Sequence, residues 1–161
     1  MKTQVTITEI TQEDLVNLFS MALYNGGRFT ADVDEYIEHD EEDSFEDIFA
    51  KILLNGGKIN VTDHYAEGAV YGDLQCYADN GEEEYVTYFV TLEDVKRGLE
   101  RAASGTFKVG DNDDFMPDWR DRNISFAWRS FNAFANDECE WDWVTADCLM
   151  QIILFDEIVY G

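Results

Sequence analysis

FEDIFAKILLNGGKINVTD, residues Phe45 to Asp63, carries the change of period on which the fold turns. Phe45, Ile48, Phe49, Ile52 and Leu53 recur at helical spacing, and Ile59 and Val61 then alternate with polar neighbours. An amphipathic helix therefore gives way to a half-buried strand. Asn55-Gly56-Gly57 stands at the change, where a left-handed C-cap lets the chain leave the helix and extend. Ser44, ahead of Glu46 and Asp47, is the expected N-cap.

The same unit occurs once before. LVNLFSMALYNGGRF (Leu15 to Phe29) aligns without gaps on FEDIFAKILLNGGKI (Phe45 to Ile59) at an offset of thirty residues, with Phe, Leu, Asn, Gly and Gly recurring in place. Leu15, Leu18, Phe19, Ala22 and Leu23 follow the helical period, and Thr11 is the matching N-cap. Each Asn-Gly-Gly is expected to be a helix C-cap with a glycine at positive φ, followed by an extended segment.

Farther along, Tyr85 to Thr91 (YVTYFVT) is rich in β-branched and aromatic residues and reads as a strand. Val70 to Tyr77 is a further strand candidate, joined to it through the turn-forming Asp79-Asn80-Gly81. Thr91-Leu92-Glu93-Asp94 supplies a capping box for a helix to about Ala103 that turns Val95 and Leu99 inward and ends at Ser104-Gly105. Helical spacing returns at Ile124, Ala127, Trp128, Phe131 and Phe134, and again from Thr145 with Cys148, Leu149, Ile152 and Ile153 inward. These elements predict an α+β fold, a short antiparallel sheet of about three to four strands covered by about five helices. The length suits a single domain over 1–161, with Gly110 to Asp118 (GDNDDFMPD) as the candidate loop or seam near 110–118.

Charge is the other strong feature. The chain holds 35 Asp and Glu against 11 Lys and Arg, a formal net charge of -24. That balance argues against direct binding to nucleic acid or to an anionic membrane, both of which need cationic surface. With 45% hydrophobic and 14% aromatic residues, the acid decorates a folded body rather than a disordered tail. No window approaches the ~20 apolar residues of a membrane span, and the amino terminus lacks a secretory h-region. Cys76, Cys139 and Cys148 are odd in number and without CxxC spacing, which fits a reducing cytoplasm better than a disulfide framework.

Ten carboxylates crowd into Asp32 to Asp47: Asp32, Asp34, Glu35, Glu38, Asp40, Glu41, Glu42, Asp43, Glu46 and Asp47. Duplex DNA carries one charge per ~1.7 Å of axis. Carboxylates at helical i, i+3 and i+4 stand ~5–6 Å apart, so rows of them approximate a row of phosphates. A solvated loop and helix start, where acids also suit the helix dipole, is the plain alternative. Glu82, Glu83 and Glu84, with Asp137, Glu138, Glu140 and Asp142, spread the acid over separate regions. Tyr36, Ile37, Trp141 and Trp143 are the candidate apolar anchors of a partner-binding surface.

Other chemistry finds less support. Asp111, Asp113 and Asp114 begin like a calcium loop, yet Phe115-Met116-Pro117 supplies neither the glycine nor the bidentate glutamate of an EF-hand. Paired acids could serve glycoside hydrolysis, and His39 or His64 could act as a base, but no spacing joins them into a site. GxGxxG, Walker, GxSxG and HExxH motifs are missing. Trp119, Arg120, Arg122, Trp128 and Arg129 interleave cations with aromatics, and in so acidic a chain core packing is their first reading. No catalytic residue, metal ligand or cofactor is assigned on these grounds.

TADCLMQIILFDEIVYG (Thr145 to Gly161), NGGKINVTD (Asn55 to Asp63) and YFVTLEDVKRGL (Tyr88 to Leu99) together resemble a group of small uncharacterised proteins of bacteriophages and prophages. Those carry a glycine pair, a short strand, a Leu-Glu-Asp helix and an Ala-Asp helix with a Glu-Ile-Val-Tyr-Gly-like tail. The chain departs from them at Asp156, where a glycine is expected, and in the stretch Ile124 to Ala135. In size and charge it is also similar to anti-CRISPR and antirestriction proteins of the DNA-mimic kind. The resemblance implies a defence-evasion setting in the cytoplasm of an infected bacterial host. The resemblance implies that setting and no activity; the acidity leads to the expectation of non-enzymatic inhibition of a defence nuclease, by occupying the cationic nucleic-acid groove of a CRISPR or restriction effector. An acidic interaction or assembly factor without mimicry, and a carboxylate- or metal-dependent enzyme, remain the alternatives.

Overall fold

Thr11 and Ser44 begin the first two helices by the same device. The Asp14 and Asp47 amides donate to the Thr11 and Ser44 hydroxyls (3.1 and 3.2 Å), while the Thr11 and Ser44 amides donate back to the Asp14 and Asp47 carboxylates (3.0 and 3.1 Å). Two helix-start amides are satisfied reciprocally in each box. The computed structural model describes residues 9–24, 27–34, 40–104, 107–109 and 143–160. In chain order the elements are α1 (Gln12–Ala22), β1 (Phe29–Asp32), α2 (Phe45–Leu54), β2 (Lys58–Asp63), β3 (Cys76–Ala78), β4 (Val86–Thr91), α3 (Leu92–Ser104), β5 (Lys108–Val109), α4 (Trp143–Phe155) and β6 (Glu157–Ile158).

The α+β expectation holds. β1, β2, β4 and β3 lie in that order in one antiparallel sheet, and four helices accompany it among the described residues. The expected helix over Ile124 to Ala135 and the seam near 110–118 lie outside those residues. Ile59, Val61 and Asp63 of β2 and Val86, Tyr88 and Val90 of β4 are buried on one face, as alternation requires of a sheet covered on one side. The Tyr88 hydroxyl accepts the Tyr71 amide (3.1 Å), and burial pushes its pKa up to about 12.

Of the two Asn-Gly-Gly segments, the second is a helix C-cap, while Asn25 and Gly26 of the first lie outside the described residues. After α2, Gly56 adopts φ +86°, the Gly57 amide donates to Ile52 O (2.9 Å) and the Gly56 amide to Leu53 O (3.0 Å). That pair of bonds is the Schellman motif, with glycine in the left-handed position. α1 instead stops at Ala22. Leu23 is extended (φ -117°), donates to Phe19 O (2.9 Å) and bridges Phe29, so the chain leaves this helix before its asparagine. The strand expected over Val70 to Tyr77 shrinks to Cys76–Ala78, because Glu67, Gly68 and Gly72 all take positive φ just upstream. Left-handed residues cannot propagate a pleated ladder.

α4 explains the apolar tail of the sequence. Ala146 and the run from Cys148 to Phe155 are buried, so this helix, apolar over most of its surface apart from Asp147 and Gln151, is central rather than amphipathic. It packs against both α1 and α3. Phe155 meets Phe29 of β1 and Tyr88 of β4 (ring centroids 6.1 and 5.4 Å). Asp156 then turns the chain in the left-handed region (φ 56°), its amide donating to Ile152 O (3.0 Å), and β6 pairs in parallel with β5.

Candidate functional site

The acidic run begins on an edge of the sheet and ends in a helix. Asp32 closes β1, the outermost strand, and Glu46 and Asp47 lie in the first turn of α2. Asp32, Asp34, Asp40, Glu41 and Glu42 are exposed, and Asp43, Glu46 and Asp47 are partly covered. Glu35, Tyr36, Ile37, Glu38 and Trp141 lie outside the described residues. Trp143 opens α4, with its side chain outside the description.

These acids divide by what they touch. Asp43 accepts the Lys51 ammonium (2.6 Å) and the Asp40 amide (3.1 Å), and the Lys51 bond holds its carboxyl below the usual range. Asp47 is lowered chiefly by Ser44, and also accepts Gln12 Nε2 (3.3 Å), which ties α2 to α1. Asp34 is lowered by Asn60 Nδ2 (2.9 Å) and by Lys58 Nζ (3.3 Å). Those three fasten the segment to the body. Glu41 and Glu42 are exposed, Asp32 is exposed with its carboxylate accepting the Val33 amide (2.8 Å), and Glu46 is partly covered.

Asp32 and Glu46 also share a concavity. Between the end of α1, β1 and the start of α2 lies a groove of about 580 Å³, lined by Ser20, Leu23, Tyr24, Thr30, Ala31, Asp32, Phe45, Glu46 and Phe49. Phe45 stacks on Phe49 (6.5 Å) and stays 64% exposed, and Tyr24 is 46% exposed. The Tyr24 ring lies against Gly27 so closely that a Cβ there would fall 2.6 Å from the ring. Neither lysine nor arginine is among the described residues lining the groove. Its described lining thus combines the aromatic rings of Tyr24, Phe45 and Phe49 with the carboxylates of Asp32 and Glu46.

Glu82, Glu83 and Glu84 are exposed in the turn between β3 and β4. The register pairs Asp32 with Asn60 at one end of β2 and Asp63 with Val86 at the other. This second acidic group therefore occupies the opposite end and the opposite edge of the sheet from Asp32. The two groups form separate surfaces and do not converge.

No family model, no curated protein and no solved structure matches the chain.

A polar cluster that sequence reasoning missed joins the tail to the sheet. Arg28 donates to the Asp147 carboxylate and lies over the rings of Tyr160 (4.6 Å) and Tyr65 (5.2 Å). Buried Asp63 accepts the Tyr160 hydroxyl (2.8 Å) and the Tyr65 amide (2.9 Å). Gln151, fully buried, accepts the Val159 and Tyr160 amides (both 2.8 Å) and donates to Asp147 (2.9 Å) and to Tyr160 O (3.3 Å). Burial pushes the Asp63 and Asp147 carboxyls up, against the opposing pull of Arg28 and their hydrogen bonds. Each of these side chains is engaged within the chain, with only the buried Arg28 Nε left without a hydrogen-bond partner, so the cluster works as a latch. Its signal was present: Asp63 continues the buried alternation of Ile59 and Val61, and Asp147 and Gln151 stand i, i+4 in an otherwise apolar helix. Among the described residues no group of three or more His, Cys, Asp and Glu could hold a metal ion, and no helix is long and apolar enough to cross a membrane.

The latch sets the sign of a pH effect. A carboxyl whose folded pKa lies above its unfolded value binds its proton first in the folded state. Its contribution is therefore full below the unfolded pKa and is lost as pH rises through the folded one. Urea unfolding of the wild type and of Asp63→Asn, at about pH 7 and about pH 5, should show the wild type gaining stability on the variant as the pH falls. The net-charge effect common to both proteins cancels in that difference. A wild type that instead loses stability relative to the variant as the pH falls would show that Asp63 is held as a favoured carboxylate.

Proposed function

We propose that this protein is a non-enzymatic inhibitor that binds the cationic, nucleic-acid-binding surface of a partner protein. Its carboxylates stand where that partner expects phosphates. The observation that carries this reading is the placement of Asp32, Glu41, Glu42 and Glu46. Among the described residues none of these acids is in a capping box or ion pair of the kind that engages Asp34, Asp43 and Asp47, Asp32 accepting the neighbouring Val33 amide (2.8 Å). Asp32 and Glu46 line a groove together with Tyr24, Phe45 and Phe49. Charge beside such a groove steers encounter with a basic surface, and apolar anchors in its centre slow dissociation. The phage-type resemblance and the compositional similarity to DNA-mimic inhibitors make a CRISPR or restriction effector the partner we favour. The exposed Tyr24 and Phe45 support a second reading, an acidic assembly factor held mainly by apolar contact.

Capture on the immobilised protein, from a bacterial lysate containing CRISPR and restriction effectors, tests the first reading against the second. The expected result is retention of a nucleic-acid-binding effector that duplex DNA elutes. Retention only of proteins that duplex DNA fails to displace would favour the assembly factor.

A further inference from the structure

We infer that the outer edge of β1 receives an extended, lysine- or arginine-bearing segment of the partner as an added strand. This rests on the reading of the partner as cationic and names the contact it makes. Among the described residues β1 is an edge strand, with β2 on one side only. The His64 amide donates to Arg28 O (2.9 Å), and antiparallel pairs alternate between bonded and non-bonded. Arg28, Thr30 and Asp32 thus turn their backbone groups towards β2, and Phe29 and Ala31 turn theirs outward. Phe29 is engaged by its bridge to Leu23 at the end of α1. The outward amide and carbonyl of Ala31 therefore face the groove that Ala31 itself lines.

The groove then has the parts that strand addition needs. Main-chain bonds at Ala31 would supply affinity, and flanking pockets would sort alternate side chains. Tyr24 and Leu23 on one wall, with Phe45 and Phe49 on the other, suit apolar side chains or the stems of long cationic ones. Asp32 and Glu46 select the charge. A second copy of this chain is disfavoured as occupant, because at a net charge of -24 it would bring like charge to the same edge. Exposed edges are commonly protected from self-association in this manner.

The probe is an end-capped peptide of about seven residues alternating lysine and valine, long enough to span a short strand. Two isomers accompany it, N-methylated on the valine amides or on the lysine amides, and a glutamate-for-lysine version serves as the charge control. The parent peptide should bind and shift the amide resonance of Ala31. One N-methyl isomer should bind at least about tenfold more weakly, a loss of ~1.4 kcal/mol. Ala31→Pro should weaken the parent peptide similarly while keeping its thermal midpoint, because proline is tolerated where an edge amide points outward. If both isomers and the proline variant bind like their parents, or if the parent peptide fails to bind, strand addition is overturned. In the first of those cases salt-sensitive binding would leave the acidic-surface reading standing. Equal binding of the glutamate peptide, with the methylation effect intact, would support the edge and count against the charge reading.

Discussion

Ile152→Ala should lower the free energy of unfolding by about 2–5 kcal/mol, the range for removing most of a buried aliphatic side chain and leaving a cavity. Ile152 is fully buried in the last turn of α4, with Leu149, Ile153 and Phe155 buried around it. A helix packed on both α1 and α3 has little freedom to collapse into the space. Against a typical total of ~5–15 kcal/mol, such a loss would leave a folded but fragile protein. Urea unfolding of the variant and the wild type measures it. A loss below about 1 kcal/mol would mean that α4 is peripheral and free to bind a partner itself.

Reversing Asp32, Glu41 and Glu42 to lysine should slow association with the captured effector by roughly 10-fold to 1000-fold at low salt, the span attributed to electrostatic steering. The thermal midpoint should hardly move, since exposed charges contribute little to folding and these three are surrounded by like charge. Asp43 does not belong in that set. It is partly covered and bonded to Lys51 and to the Asp40 amide, so a lysine there would oppose Lys51 and loosen the turn before α2. Stopped-flow association of the triple variant, beside its melting curve, separates recognition from folding. An unchanged rate in a folded variant would remove this surface from the mechanism.

The backbone was more legible in the sequence than the site. Capping residues, apolar period and the second glycine pair located α1, α2, α3, α4 and the central strands, because these signals are local. The first helix ends before its glycine pair: Leu23 is already extended and bridges Phe29, and the apolar period, which includes Leu23, gives no sign of that. Asp156 is the converse case. The position at which a glycine was expected has a left-handed backbone (φ 56°), and aspartate is among the few other residues that visit that region routinely. The acidic run was visible as composition, but which of its carboxylates are fastened to other elements depends on Lys51, Lys58, Asn60 and Gln12. The groove was invisible for the same reason, since Tyr24, Ala31 and Phe45 meet only once α1, β1 and α2 have packed.

The central claim is that acid on this surface recognises a basic nucleic-acid-binding partner. The dissociation constant of the complex with the captured effector, measured from about 50 mM to about 200 mM salt, tests it most directly, because exposed charge pairs are screened over that range. The account predicts an affinity that falls at least tenfold across the series, carried mainly by a slower association rate. An affinity and an association rate that stay constant with salt would contradict it.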